Sequence, residues 1–227
     1  KELKLIPPTD PRVQSAIAPF SDDMLKEEAE KQGMEVERLL KLLPPSDPKV
    51  RSAIAPFTDD MLKEHDFKDR KELSEEMFKS MARYGGIGLS ANQVGLPFNM
   101  FVVGNHISLE NGLKMACFNP MIVSTSEELI MMKEGCLTYP FLFLSIKRPR
   151  KCVVKYTDEN GDLKEGNLDG MISRIFQHEY EHMLGRNFTE HASKMKLDMA
   201  EKKAKKQFKI WQKTMEARHG KYEETNK

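Results

Sequence analysis

A chain of 227 residues with 39% hydrophobic and 31% charged side chains can bury one sizeable core, and no apolar run approaches a membrane span or a secretory signal. Three cysteines cannot make a fully paired disulfide framework, so a reducing, cytoplasmic setting is expected, with the thiols buried or bound to metal. The net charge of +1 hides an asymmetry: residues 191–227 carry eleven basic against five acidic groups, on a body of net negative charge.

The chain begins with a repeat. Residues 3–27 recur as 40–64 with 20 of 25 positions identical, both copies reading Pro-Pro-[Thr/Ser]-Asp-Pro and then Val-x-Ser-Ala-Ile-Ala-Pro-Phe. A solenoid needs at least about three stacked units, so residues 1–38 are read as an accessory duplication of a segment that belongs to the core. Between 67 and 84 the pattern turns helical: Leu73, Met77, Met81 and Tyr84 recur at spacings of four, four and three, and Gly85-Gly86 ends the run. Those methionines are read as core packing. Next stands Gly86-Ile87-Gly88-Leu89-Ser90-Ala91-Asn92-Gln93. It lacks the Gly-Lys-Ser/Thr ending of a phosphate loop and the third glycine of a dinucleotide loop. The neutral amide of Gln93 is suited to donate to a carbonyl oxygen that turns negative in a transition state.

Residues 100–103 read as a buried strand, and 115–124 as another, broken at Asn119-Pro120 because proline cannot donate to a sheet ladder. Cys117 and Cys152 sit among apolar or β-branched neighbours and read as small buried residues. Residues 151–157 and 162–168 flank Asp158-Glu159-Asn160-Gly161, a hairpin signal. Asp169-Gly170 opens a helix that Gly185 closes. A last helix is expected from 193 to about 218, where Ala200, Ala204, Phe208, Trp211 and Met215 trace an apolar stripe for docking on the body. The class is α+β, short strands followed by a buried helix.

That buried helix contains Gln177-His178-Glu179-Tyr180-Glu181-His182. Residues four apart share a helix face, so the imidazoles of His178 and His182 can close on one ion, with Glu179 beside it to take a proton from water. A third protein ligand is required. A metalloprotease continuing His-Glu-x-x-His-x-x-Gly-x-x-His finds Gly185 in place but Phe188 at the third histidine, and His191 comes three positions late. A downstream glutamate could only be Glu201, nineteen residues on in the lysine-rich tail. Cys136, within Glu134-Gly135-Cys136-Leu137-Thr138, closes the set better, because Cys-His-His plus water makes an open four-coordinate site. A zinc peptidase and a non-catalytic metal- or RNA-binding protein remain the competing readings.

Taken in order, GIGLSANQ at 86–93, EGCLT at 134–138 and QHEYEH at 177–182 resemble the three motifs of the peptide deformylases: Gly-x-Gly-x-Ala-Ala-x-Gln, Glu-Gly-Cys-x-Ser and Gln-His-Glu-x-Asp-His. The resemblance runs from about residue 40 through 188. It implies antiparallel β-sheets packed around a central metal-binding helix, with a catalytic domain over 39–190 and a basic amphipathic C-terminal helix or tail over 191–227. It also implies hydrolytic removal of the formyl group from formyl-methionine at the start of nascent polypeptides. By motif position, Cys136, His178 and His182 would bind the metal, natively Fe(II), with Zn(II), Ni(II) or Co(II) able to occupy the site. Glu179 would be the general base and then the acid. Gln93 and the backbone N–H of Leu137 would form the oxyanion hole, and Ile87, Gly88 and Gly135 would meet an extended peptide. The basic C-terminal helix would suit docking on the RNA-rich surface of a ribosome, and neither a membrane nor a specific nucleic-acid sequence is expected as a partner. Three positions depart from the family pattern: Glu181 for Asp, Thr138 for Ser and Ser90 for the first Ala. None of them removes a ligand, the base or an oxyanion donor.

Overall fold

The computed structural model describes residues 40–104 and 112–225, with side chains through 215. The duplicated segment at 1–38 lies outside the described residues. In chain order the strands are β1 (Gly88–Ser90), β2 (Met100–Gly104), β3 (Lys114–Thr125), β4 (Leu129–Cys136), β5 (Tyr139–Pro149), β6 (Lys151–Thr157) and β7 (Leu163–Asp169). The helices are α1 (Asp60–Glu64), α2 (Arg70–Arg83), α3 (Gly170–Met183) and α4 (Lys194–Thr225). Strands β1-β2-β3-β6-β7 form one antiparallel sheet in that spatial order, and β4 and β5 form a separate two-stranded sheet. The α+β architecture expected from the sequence is the one observed.

Strand β2 explains why the larger sheet has two cores. Side chains alternate across a strand, and all five residues of β2 are buried. Met100 and Val102 pack with Leu73, Met77 and Met81 of α2 on one face. Phe101 and Val103 pack with Ile175 and Phe176 of α3 on the other. Helix α3 is therefore roofed by the sheet on its apolar side and covered by the β4–β5 hairpin on its polar side. Among its last eleven residues, 173–183, only Tyr180 is not fully buried.

The predicted helix at 67–84 forms over α2. Its start is set by the Asp69 carboxylate, which accepts from the Glu72 N–H at 2.9 Å. The predicted break in β3 is a bulge within a continuous strand. Asn119 adopts φ 47, the register with β6 shifts between Phe118 and Met121, and the missing donor of Pro120 falls inside that shift. The Asn119 side chain bonds both the N–H and the C=O of Phe57, at 2.7 and 3.0 Å, and so ties the segment before α1 to the sheet. The β6–β7 hairpin turns at 158–161 as expected, with the Asp158 N–H donating to the Asp162 carbonyl. Helix α4 docks its apolar stripe on β5: Ala204 is buried, and Phe208 and Trp211 meet Phe141.

The β4–β5 hairpin has no counterpart in the sequence reading. Its signal was present, since Leu142, Leu144, Ile146 and Arg148 share one phase of β5 and all four are buried. Among the described residues, no helix is long and apolar enough to cross a membrane.

Candidate metal centre

Three separate elements converge at the polar side of α3. The helix presents His178 and His182 one turn apart, their rings 5.2 Å between centroids. Strand β4 ends at Cys136, where a register shift after Gly135 leads into a two-residue turn made by Leu137 and Thr138. The 3-10 turn Ala91–Val94, which follows the edge strand β1, supplies Gln93. The ligand atoms of Cys136, His178 and His182 all lie within 4.8 Å of one another, and all three residues are buried.

The spacing fits one shared cation. Two ligand atoms at about 2.0 and 2.3 Å from one ion, at the tetrahedral angle, lie about 3.5 Å apart. The Cys136 sulfur and His182 Nε2 are 3.4 Å apart. The Nδ1 of His178 lies 3.1 Å from a Glu134 carboxylate oxygen. A carboxylate only accepts, so that nitrogen carries the proton and Nε2 keeps its lone pair for the centre. A thiolate and two imidazoles are a donor set for a divalent transition metal.

Burial and neighbouring charge set the protonation of these groups. Burial pushes the Glu179 carboxyl above its ordinary range, while the hydrogen bond from the Ser90 hydroxyl pulls it down. Burial, with the positive Arg148 nearby, pushes His182 well down and so keeps its imidazole neutral. Burial opposes ionisation of Glu134, yet hydrogen bonds from His178 and Arg148 hold its carboxyl far below the usual carboxylate range.

Gln93 is oriented from both ends of its amide. Its oxygen accepts from the Ser90 N–H at 2.8 Å, and its nitrogen donates to Cys136 Sγ at 3.2 Å and Thr138 Oγ1 at 2.9 Å. Leu137 is half-buried in the turn beyond Cys136. Gly88 lies against Glu179: a Cβ there would stand 2.5 Å from Glu179 Oε1 and 2.8 Å from Ile175. Ile87 gives its carbonyl to the Gly104 N–H, so its own N–H is what it can offer a peptide. At Gly135 the space of the missing side chain is filled by the Phe143 ring, 2.7 Å from where a Cβ would stand. Every residue singled out in the three motifs thus lies at or beside one buried cluster. A polar cleft of about 510 Å³ between α1 and the 158–161 turn shares none of these residues.

Three participants, Arg148, Arg174 and His191, lie outside the motifs, and Ser90 stood in them only as a departure from the family pattern. Arg148 donates to Glu134 through Nε and Nη2, at 2.7 and 3.0 Å, and to Glu181 through Nη1 and Nη2, at 2.6 and 2.9 Å. Arg174 donates to Glu134 at 2.7 Å and to the carbonyls of Ile130 and Ile146. Ser90 Oγ donates to Glu179 Oε2, and His191 bonds Glu181. Only the phase of β5 could have flagged Arg148, as a charged residue in line with Leu144 and Ile146.

The family model described as polypeptide deformylase matches residues 40–198. The chain belongs to the peptide deformylase family. Members of this family are metal-dependent hydrolases, and the buried Cys136–His178–His182 cluster can bind a metal. A peptide deformylase of Erythrobacter litoralis is 34% identical over 162 residues, covering 61% of this chain and 83% of that protein. One from the Wolbachia of Brugia malayi is 38% identical over 144 residues, covering 60% of this chain and 80% of that protein. Among solved structures, a Legionella pneumophila deformylase superposes with a TM-score of 0.67 at 29% identity, over 77% of this chain and 98% of its own. The Ehrlichia chaffeensis enzyme in complex with actinonin gives 0.64 at 32% identity, over 74% and 97%.

Proposed function

We propose that Cys136, His178 and His182 hold the divalent cation of this deformylase, that Glu179 moves the protons, and that Gln93 with the Leu137 N–H receives the charge developing on the formyl oxygen. The reaction is removal of the formyl group from the amino-terminal formyl-methionine of nascent polypeptides, with release of formate. The observation that carries the residue assignment is the convergence of the three ligand atoms within 4.8 Å, with Glu179 on the same helix.

A cation bound to those three side chains supplies Lewis acidity and makes hydroxide available near neutral pH. Glu179 takes the proton of the attacking water and later gives it to the departing amine, for which a carboxyl raised by burial is better matched than an ordinary one. Gln93 Nε2 points at the cluster and is held there by the Ser90 N–H, so no reorganisation is needed as charge builds; losing one such donor costs about 3 kcal/mol of barrier. Strand β1 is an edge of its sheet. An extended peptide can add along it through Gly88 and the Ile87 N–H, with Gly135, beside Cys136, a further backbone contact. The formyl carbon carries only hydrogen, so a tight site admits it and rejects acetyl groups and internal peptide bonds by size.

The cation in this reading is Fe(II), with Zn(II), Ni(II) or Co(II) as substitutes suited to the same donors. The setting is the cytoplasm, in keeping with three free, buried cysteines. The exposed lysines of α4, among them Lys202, Lys203, Lys205, Lys206 and Lys209, would dock the enzyme on ribosomal RNA near emerging chains. Truncation after Phe188 should then abolish low-salt co-sedimentation with ribosomes.

The central test is formate release from formyl-Met-Ala-Ser by anaerobically purified protein reloaded with Ni(II), beside Glu179→Ala. Formate from the parent and none from the variant is the expected result. An inactive, fully loaded parent would overturn the reading.

A further inference from the structure

The 3-10 turn Phe188–His191 follows α3 and touches the metal centre by two independent routes. Phe188, fully buried, lays its ring 5.6 Å from that of His178 and 5.7 Å from that of Tyr139. His191 reaches the same ring through side chains alone. Its Nε2 lies 2.6 Å from Glu181 Oε1; Glu181 takes Arg148 Nη1 at 2.6 Å on that same oxygen; Arg148 Nε reaches Glu134 at 2.7 Å; and Glu134 accepts from His178 Nδ1 at 3.1 Å. Every link is a charge-assisted bond shorter than a neutral hydrogen bond or comparable to one.

Three links of this path are buried, and their geometry follows from packing. The His191 side chain is 28% exposed, whereas those of Glu181 and Arg148 are 11% and 4% exposed. A glutamate carries one more rotatable bond than an aspartate, and Glu181 must keep both carboxylate oxygens on the Arg148 guanidinium, with Oε1 shared between Arg148 and His191. His191 supplies a fixed donor at that end. Its own position is held by the turn: Asn187 Oδ1 accepts from the Thr189 N–H at 3.0 Å, and Glu190 ties back to Arg186 at 3.0 Å.

We propose that His191 is a positioning residue for the metal centre, fixing the Glu181 carboxylate and, through Arg148 and Glu134, the ring of His178. The inference rests on the reading of His178 as a metal ligand. A histidine ligand with a loosely held outer partner samples ring orientations that do not close on the ion, so both metal retention and turnover fall while peptide binding along β1 is untouched.

The test compares the full chain with His191→Ala and His191→Gln after Ni(II) loading. Transfer of Ni(II) to a chromophoric chelator reads metal retention without reference to activity, and formate release gives kcat and KM separately. The outer partner of a metal ligand is typically worth 10–100-fold in affinity or activity. His191 acts one step further out, and H191A is expected to release metal about 5–20-fold faster and lose kcat to a similar degree, with KM within about twofold. The side-chain amide of H191Q can donate to the same carboxylate and should recover most of both. Should H191A fail to fold, His191→Phe keeps a ring and removes the donor, and carries the same comparison. A folded H191A or H191F that holds Ni(II) and turns over like the parent overturns the inference, as does a Gln variant no better than Ala. A parent that takes up no Ni(II) overturns the metal-centre reading itself, and this inference with it.

Discussion

The Ser90 hydroxyl donates to Glu179 Oε2 at 2.6 Å, fastening the end of an edge strand to the carboxylate proposed to handle the protons. The two residues lie 89 positions apart, and the family pattern has alanine where Ser90 stands. The same serine aims Gln93 through its backbone N–H, so Glu179 and Gln93, the proposed base and oxyanion donor, are oriented by one residue.

Ser90→Ala tests what that hydroxyl does. Burial raises the Glu179 carboxyl, and the hydrogen bond from Ser90 opposes the rise by favouring the charged form. Removing the bond therefore raises the carboxyl further. Glu179 must be ionised to act as base, so activity should be lost at a higher pH as the solution is acidified. The pH profile of kcat/KM for parent and S90A measures this, and an acid limb that stays put or moves down would refute it. Replacing the carboxylate itself in Glu179→Gln should cost roughly 10²–10⁴-fold in kcat, the usual worth of a general acid–base.

Gly88 makes room for Glu179. An alanine Cβ would stand 2.5 Å from Glu179 Oε1 and 2.8 Å from the Ile175 methyl, distances that real side chains do not tolerate. The carboxylate end will swing aside and disturb the chemistry, and the buried Ile175 methyl must give by a few tenths of an ångström, at a small cost to the fold. Gly88→Ala should lower kcat by at least about tenfold, since small misplacements of reacting groups cost up to about 10²-fold. Its melting temperature should stay near that of the parent, and a variant that unfolds without losing specific activity would contradict the assignment.

Arg148 joins two carboxylates that belong to different layers, Glu134 on β4 and Glu181 on α3. Removing one partner of such a buried set typically costs about 3–5 kcal/mol, because the remaining charges lose their compensation. Arg148→Met should show a loss of that order in urea unfolding. Burial raises both carboxyls, but Arg148 with His178 in one case and His191 in the other holds them below the ordinary range. Their stabilisation is thus complete above the unfolded value of about 4.3 and drains away as pH falls through the lower folded values. Unfolding free energies of chelator-treated protein between pH 7 and 3 should fall steeply at the acid end for the parent and less steeply for R148M. Equal slopes would exclude the pair as the source.

Gly185 has φ +70, and a Cβ there would lie 2.7 Å from the Ala53 nitrogen and from the Arg51 carbonyl oxygen. Both obstacles are backbone, in the segment that bridges to Leu184 and bonds the Met183 carbonyl through the Ile54 N–H. Gly185→Ala should destabilise by more than the about 1 kcal/mol of a left-handed alanine alone. Denaturant titration reads the loss, and a change below that figure would mean the segment can move away freely.

Deleting residues 1–38 removes one copy of a duplicated segment and leaves the copy at 40–64, whose Val50, Phe57 and Leu62 are buried in the body. Formate release and the unfolding midpoint should match those of the full chain. A collapse of either would assign the first copy a place in the catalytic domain.

The chemistry of this protein was readable from its sequence because its parts are local. A helical spacing of four puts His178 and His182 on one face, a glycine precedes Cys136 at a strand end, and the methionine period of α2 and the stripe of α4 announce helices that each bury one side. The Asn119-Pro120 signal was local too, and correct as an irregularity; what the sequence did not show is that the bulged Asn119 side chain binds Phe57 from 62 positions away. What the amino-acid order by itself determined is the family, the α+β class, and the Cys136, His178 and His182 trio that the fold brings together. Only the tertiary structure decided how those groups are held: Ser90 on Glu179, and Arg148 between Glu134 and Glu181 with His191 at its outer end. Periodicity reports which residues share a face of one element. It carries no information about which side chain from a distant strand will meet that face, since that contact exists only after the sheet and the hairpin have closed on α3.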